Sequence, residues 1–341
     1  MLDEIRQQPG VLARTLKAEL PRFQRFRKTL AARLPKLIVL AARGTSDNAA
    51  QFGRYLLEIT TGIPVSLSAP SILTLYHATV DYRDALVVGI SQSGESTDTN
   101  LVVERARAQG ALTIGITNEP RSALASLAEH VFFVRAGKEK SVAATKTYTG
   151  QVLALYLLAY ALGARIRPAD LERLPEWAGA ALRLESEVRE LAQGYRFMEQ
   201  AVVVGRGLNY ANAFEFALKL METCYVVAER FSSADFLHGP IAMVGPSFPV
   251  FLFAPCGVTA PSITEMIARL RSLGAETAVV TDRRNPPPHA TRNIVLPLRL
   301  AELYTPIPYI IPAQLFAACL AAEKGLNPDR PRALTKITRT L

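Results

Sequence analysis

The sequence predicts an α/β fold of two tandem parallel sheets with helices on both faces, and three observations carry the prediction. Short apolar β-forming runs alternate with helix-length stretches, a βαβ succession that builds a parallel sheet. One run, Ala85 to Ile90, leads into a hydroxyl-rich turn, Ser91-Gln92-Ser93-Gly94-Glu95-Ser96, and then into a helix from Thr97 to Gln109. The pattern also repeats: Gly207 lies 163 positions after Gly44, and Thr281 lies 164 after Thr117. Agreement of pattern and spacing across three elements marks a tandem duplication.

Taken in order, residues 1–30 read as one or two amphipathic helices broken near Pro9-Gly10. Leu37 to Ala41 is a strand, followed by Ala42-Arg43-Gly44-Thr45-Ser46 and a helix to about Thr60. Gly62 to Val65 is a short second strand, Ala85 to Ile90 the third, Leu112 to Thr117 the fourth and Val131 to Val134 the fifth. A long helix runs from about Thr145 to Gly163, and residues 168–195 form a helical connector carrying Trp177. Ala201 to Val204, ending in Gly205-Arg206-Gly207, opens the second copy; Val250 to Ala254 and Ala278 to Thr281 match the third and fourth strands. The expected division is a leader (1–30), a first domain (31–165), a connector (166–196), a second domain (197–325) and a tail (326–341).

The strand–turn–helix unit around residue 91 has the chemistry of an anion site. Helix-terminal N–H groups lack intrahelical partners, and the helix dipole adds partial positive charge. Ser91, Ser93, Ser96 and Thr97 contribute hydroxyls and Gln92 an amide, more than one helix cap needs. With no Lys or Arg in the turn, a phosphate would be held by hydrogen bonds. The matching place in the second copy reads Pro255-Cys256-Gly257-Val258, so only the first copy is expected to bind phosphate. The second copy supplies Lys219, Glu222 and His238 instead.

Composition narrows the class. Of 341 residues, 49% are hydrophobic and 20% charged, as in an ordinary α/β protein. Cys224, Cys256 and Cys319 are too scattered for a disulfide framework, and the four histidines show no metal-ligand spacing, so no metal is expected. The longest apolar run, around Val152 to Leu162, is too short to span a bilayer, and the first residues lack a signal-peptide layout. A cytoplasmic protein without a membrane partner is therefore expected. The net charge of +9 concentrates between Arg14 and Lys36 without zinc-finger spacing or an RNP motif. It reads as a solvated helix face rather than a nucleic-acid surface, and its field would favour a phosphorylated substrate.

Six segments in order resemble the tandem sugar isomerase (SIS) domains that form the isomerase module of glucosamine-6-phosphate synthases. They are Arg43-Gly44-Thr45-Ser46, Ser91-Gln92-Ser93-Gly94-Glu95, Val142-Ala143-Ala144-Thr145-Lys146, Ala217 to Glu222, Leu237-His238-Gly239-Pro240 and Pro331 to Lys336. The resemblance covers nearly the whole chain and implies a flavodoxin-like three-layer αβα architecture in each domain. It also implies that Ser91, Gln92, Ser93 and Ser96 form a phosphate loop and that Thr45 and Ser46 contact the sugar phosphate. Val142 and Ala143 would offer backbone contacts to sugar hydroxyls. Glu222 would move a proton between C1 and C2, with Lys219 one helical turn before it. His238 would assist ring opening from a neighbouring subunit of a homodimer with a shared site, and Lys336 would form a Schiff base with the open-chain ketose. No organic cofactor is implied.

Without the resemblance, the Lys219–Glu222 spacing also suits a surface ion pair, His238-Gly239-Pro240 a plain turn, and Lys336 a solvated tail lysine. No counterpart of the synthase's glutaminase part is expected in this chain, and its last residues depart from the family's acidic ending. The expectation is therefore a glucosamine-6-phosphate deaminase (isomerising), converting a phosphorylated amino sugar to fructose 6-phosphate and ammonia. The alternatives are a deglycase or isomerase for another phosphosugar or sugar–amino acid conjugate, and a sugar-phosphate-binding regulator without catalysis. Retention of Glu222, His238 and Lys336 together favours an enzyme, because binding alone needs only the loop.

Overall fold

Ten strands occur among residues 1–334, the residues described by the structure, a computed structural model. They are β1 (Leu37–Ala41), β2 (Val65–Leu67), β3 (Ala85–Ile90), β4 (Leu112–Thr117) and β5 (His130–Phe133), then β6 (Gln200–Gly205), β7 (Val227–Ser232), β8 (Pro249–Phe253), β9 (Glu276–Thr281) and β10 (Arg292–Val295). They form two five-stranded parallel sheets, ordered β2-β1-β3-β4-β5 and β7-β6-β8-β9-β10. The shared order is that of doubly wound flavodoxin-like sheets and bears out the duplication. In such sheets ligands bind outside the carboxyl ends of the strands where the winding reverses, here β1/β3 and β6/β8.

Alternation along the strands builds the layers. In the second sheet, Val202, Val204, Val250 and Leu252 pack with Ile263, Met266 and Ile267 of the helix Ala260–Ser272. The intervening Phe251 points the other way, its ring 5.1 Å from Phe216 and 5.0 Å from Phe316. In the first sheet, Val39 and Val87 pack on Val102 and Ala106 of the helix Thr97–Ala108. β3 and β4 are buried along their entire length, as expected for strands covered on both faces.

The chain divides into two compact units that do not follow the linear division expected from sequence. One holds Gln7–Glu139 and Lys146–Pro175 with the first sheet; the other holds Met1–Arg6, Lys140–Thr145 and Glu176–Leu334 with the second. The leader is thus split between Leu2–Arg6 and Gln8–Ala32, and the expected break at Pro9-Gly10 falls inside the second helix. Pro9 sits in the first turn, where its missing N–H costs nothing. The second strand lies slightly later than the sequence indicates, and β7 and β10 are strands the sequence reading missed. The connector resolves into Pro168–Leu171, Leu174–Leu182 and Glu185–Gln193, with Trp177 against Tyr304, ring centroids 5.9 Å apart.

One helix, Pro306–Glu323, is long and apolar enough by composition to cross a membrane, contrary to the expectation that no such stretch exists. It is 89% buried within the fold and packs as a core helix, with Phe316 in the aromatic cluster. The Phe23 and Phe26 rings within the basic stretch are also core residues, with Phe23 stacked 3.6 Å from Phe132.

Candidate functional site

In the first unit, the turn after β3 is tied down through its carbonyls. The Gln92 carbonyl accepts the Asn118 amide at 3.1 Å and the Gly94 carbonyl accepts from Leu124 and from the Asn100 side chain, each at 3.0 Å. Ser91 Oγ accepts the Gly94 amide at 3.0 Å and Ser93 Oγ the Glu95 amide at 3.2 Å. Both hydroxyls are therefore used as acceptors by the turn and keep their protons for a ligand oxygen. Ser96 occupies the N-cap position of Thr97–Ala108 but makes no side-chain cap bond, so capping does not explain its hydroxyl. Gly94 has φ of +67°, and a Cβ there would lie 2.1 Å from Ser122 Oγ, so both backbone shape and space require glycine. Gln92, Ser93 and Ser96 are partly exposed while Ser91 is buried.

The turn after adjacent β1 begins the helix Thr45–Thr61. Ser46 is buried and its hydroxyl accepts from Gln151 Nε2 at 2.9 Å; Thr45 begins the same first turn. Arg43 reaches across to the helix after β3, its Nε 2.9 Å from the Asp98 carboxylate, which is 2% exposed. This ion pair, absent from the sequence reading, joins the two turns at the β1/β3 reversal. Burial pushes the neighbouring Asp47 carboxyl above its usual range, with Arg43 opposing that rise.

In the second unit, the helix Tyr210–Cys224 places Glu215, Lys219 and Glu222 on one side through their spacings of four and three. Lys219 is fully buried, its Nζ 2.5 Å from Glu222 Oε2 and 3.5 Å from Glu215 Oε1. Glu222 keeps 22% side-chain exposure, whereas Glu215 has none. The reading of Lys219–Glu222 as a solvated surface pair does not hold: a buried ammonium orients a reachable carboxylate. Glu215 was missed, although its i,i+4 spacing to Lys219 was visible in the sequence.

His238 follows the helix Ser233–Leu237, which is capped by the Ser232 hydroxyl, and stands exposed. Val142 and Ala143 belong to this same unit; the Val142 amide donates to the Asp329 carbonyl at 3.4 Å and Ala143 is buried. The residues of the hydroxyl-rich turn, with Thr45 and Ser46, belong to the first unit. Lys336 lies outside the described residues.

The turn after β8 shows why the copies differ. The Thr259 amide and hydroxyl both donate to the Glu302 carboxylate, at 3.3 and 2.5 Å. Asp282 accepts from the Cys256 and Leu300 amides and, at 2.7 Å, from the Tyr309 hydroxyl. The Glu302 carboxylate thus sits at the start of the helix Ala260–Ser272, and that of Asp282 at the turn leading into it, corresponding to the hydroxyl-rich turn of the first copy. Among the described residues, no group of His, Cys, Asp and Glu has an arrangement suited to a metal ion.

The SIS domain model matches residues 34–161 and 198–323, one stretch over each sheet. The chain is 36% identical over 353 residues to a Gloeobacter violaceus glutamine–fructose-6-phosphate aminotransferase (isomerising), a match covering 98% of this chain but 58% of the relative. Among solved structures, the C-terminal domain of glucosamine-fructose-6-phosphate aminotransferase from Francisella tularensis superposes with a TM-score of 0.87 at 27% identity, covering 97% of this chain and 98% of that one. A Silicibacter pomeroyi protein provisionally assigned as a phosphosugar isomerase superposes with a TM-score of 0.86 at 33% identity, covering 96% and 98%. The chain spans little more than half the length of the curated aminotransferase, yet nearly all of both solved structures. With both sheets matched, the chain belongs to the SIS-domain family and carries two tandem SIS domains.

Proposed function

We propose that the chain is a phosphosugar isomerase that acts as a glucosamine-6-phosphate deaminase, forming fructose 6-phosphate and ammonia. The observation that carries this reading is the buried Lys219 holding the partly exposed Glu222 at 2.5 Å, a carboxylate positioned as a base and still reachable. The hydroxyl turn at 91–96 supplies phosphate donors. The names of the aminotransferase relatives supply the fructose 6-phosphate chemistry.

His238 assists opening of the pyranose ring, leaving an aldehyde at C1 and the amine at C2. Glu222 removes the C2 proton to give an enolamine and returns a proton at C1, which leaves an imine at C2. Water adds to that carbon and ammonia departs, leaving the ketone. The Lys336 amine can first exchange with the imine, releasing ammonia and forming a protein-bound imine that water then hydrolyses. Val142 and Ala143 contribute backbone contacts to the sugar hydroxyls.

The test is incubation of the purified protein with glucosamine 6-phosphate, measuring ammonia and fructose 6-phosphate, which should appear in equal amounts. Interconversion of fructose and glucose 6-phosphates without ammonia release from the amino sugar would reduce the reading to an isomerase; no turnover would sink it. Ser93→Ala should raise KM about tenfold and leave kcat within about twofold, because the phosphate is held equally in ground and transition states. A fall confined to kcat would place Ser93 in the chemistry.

The reading includes a homodimer in which His238 serves the neighbouring chain. Mixing inactive His238→Ala and Glu222→Gln chains under conditions of subunit exchange should restore about a quarter of wild-type activity, from the one complete site in each hybrid. A mixture that exchanges subunits and stays inactive would assign His238 to its own chain's site.

A further inference from the structure

The second unit holds a cavity of about 390 Å³ at the amino ends of β9 and β10, the opposite end of the sheet from the β6/β8 crevice. Glu187 and Glu190, three apart on one face of the helix Glu185–Gln193, form one side together with Leu191. Glu276, the first residue of β9, forms the other side with Arg292, Asn293 and Ile294 at the start of β10. The helix ends beside the cavity at Gly194, which adds the negative end of its dipole.

Two polar atoms of this wall find no hydrogen-bond partner among the described residues. Tyr195 lines the cavity and is 5% exposed, and its buried hydroxyl makes no hydrogen bond. Its ring is held 5.4 Å from that of Phe251 and 5.4 Å from that of Phe316, so the phenol cannot turn away into solvent. Burial, with the Glu276 carboxylate nearby, pushes this phenol well above its usual range and keeps it protonated. The second atom is Asn293 Oδ1, also buried. A buried hydroxyl or amide oxygen left unpaired is costly, and beside a cavity it calls for a donor from whatever fills that space.

Charge narrows the occupant. Three carboxylates line the cavity against the single guanidinium of Arg292, and among the described residues none of the three forms an ion pair. Burial and the neighbouring Glu190 raise the Glu187 carboxyl above its usual range, the mark of like charges without a counterion. Among the described residues no acidic group is arranged to hold a metal ion. A wall rich in acceptors and in negative charge therefore selects a cation that carries N–H donors. The carboxylates stand in two places, the helix pair and Glu276, and Leu191 and Ile294 are the apolar part of the wall. Two ammonium groups joined by a short methylene stem match that division.

We propose that this cavity binds a small aliphatic diammonium ion, with one ammonium at Glu187 and Glu190 and the other among Glu276, Tyr195 and Asn293. The site lies away from the carboxyl-end crevice, and the proposal does not rest on the deaminase reading.

The experiment is isothermal titration of the full chain with 1,4-diaminobutane at low ionic strength, with n-butylamine and magnesium chloride as comparisons. The diamine should bind one-to-one and about tenfold more tightly than butylamine, which carries one ammonium, or Mg²⁺, which carries no N–H donor. Tyr195→Phe keeps the ring between Phe251 and Phe316 and removes the hydroxyl; it should weaken binding about fivefold, and Glu276→Gln about tenfold. The Asn293 side-chain amide resonances should shift along the same binding curve.

No binding of the diamine overturns the proposal. Equal binding of Mg²⁺ overturns it as well, because general charge screening would then account for the heat. Binding that either Tyr195→Phe or Glu276→Gln leaves unchanged, or that leaves the Asn293 resonances in place, belongs to another surface and also overturns it.

Discussion

Glu222→Gln should lower turnover about 10³-fold and eliminate exchange of the C1 and C2 hydrogens with deuterated solvent, with KM within about twofold. The amide keeps the size of the carboxylate and can still accept from Lys219 Nζ, now 2.5 Å from Glu222 Oε2, but it is no base. Folding should be little affected because the side chain is 22% exposed and Glu215 still faces the buried ammonium at 3.5 Å. Solvent exchange measured by NMR is the better readout, since it reports proton transfer separately from ammonia release. Exchange at the wild-type rate would move the base elsewhere, and Glu215 would be the next carboxylate to replace.

The second large effect is structural. Gly205 ends β6, and a Cβ there would lie 2.3 Å from the Asn209 carbonyl oxygen and 2.9 Å from Tyr210 Cα. Both are backbone atoms at the start of the helix bearing Lys219 and Glu222, so no rotamer change can relieve the contact. Gly205→Ala should destabilise the chain by about 3 kcal/mol, read as a lower urea midpoint at unchanged m-value. The displaced helix should also lower kcat in protein that remains folded. A cost below about 0.5 kcal/mol would mean that β6 and the helix do not meet this closely.

The three-layer architecture and its duplication were legible because strands buried on both faces give unbroken apolar runs, as in β3 and β4. β7 was not: Val227–Ser232 carries Glu229 and Arg230 and is only partly buried, so its composition hides its pairing with β6. The helix Pro306–Glu323 was not read from the sequence; it carries three prolines, a helix-breaking residue type, although Pro306 and Pro308 lie in its opening turn. The hydroxyl turn declared itself by composition. Its Arg43–Asp98 brace did not, since partners 55 positions apart have no local signature. The N-terminal leader was read as one domain piece because hydrophobic periodicity cannot reveal which unit a short helix joins.

The carboxylate of Glu302 at the Thr259 turn has a thermodynamic consequence. An anion supplied by the chain itself is present at a fixed effective concentration, so mass action with solutes does not govern its occupancy. On the proposed reading, the first domain's turn is filled only when a phosphate ester arrives, and its stability is then linked to ligand by RT ln(1 + [L]/Kd), about 2.7 kcal/mol at a hundredfold excess over Kd. The duplicated halves share a fold but differ in linkage. On that reading only the first half's turn takes its anion from solution, whereas the second half's turn, at Thr259 and Glu302, already holds a carboxylate of the chain itself.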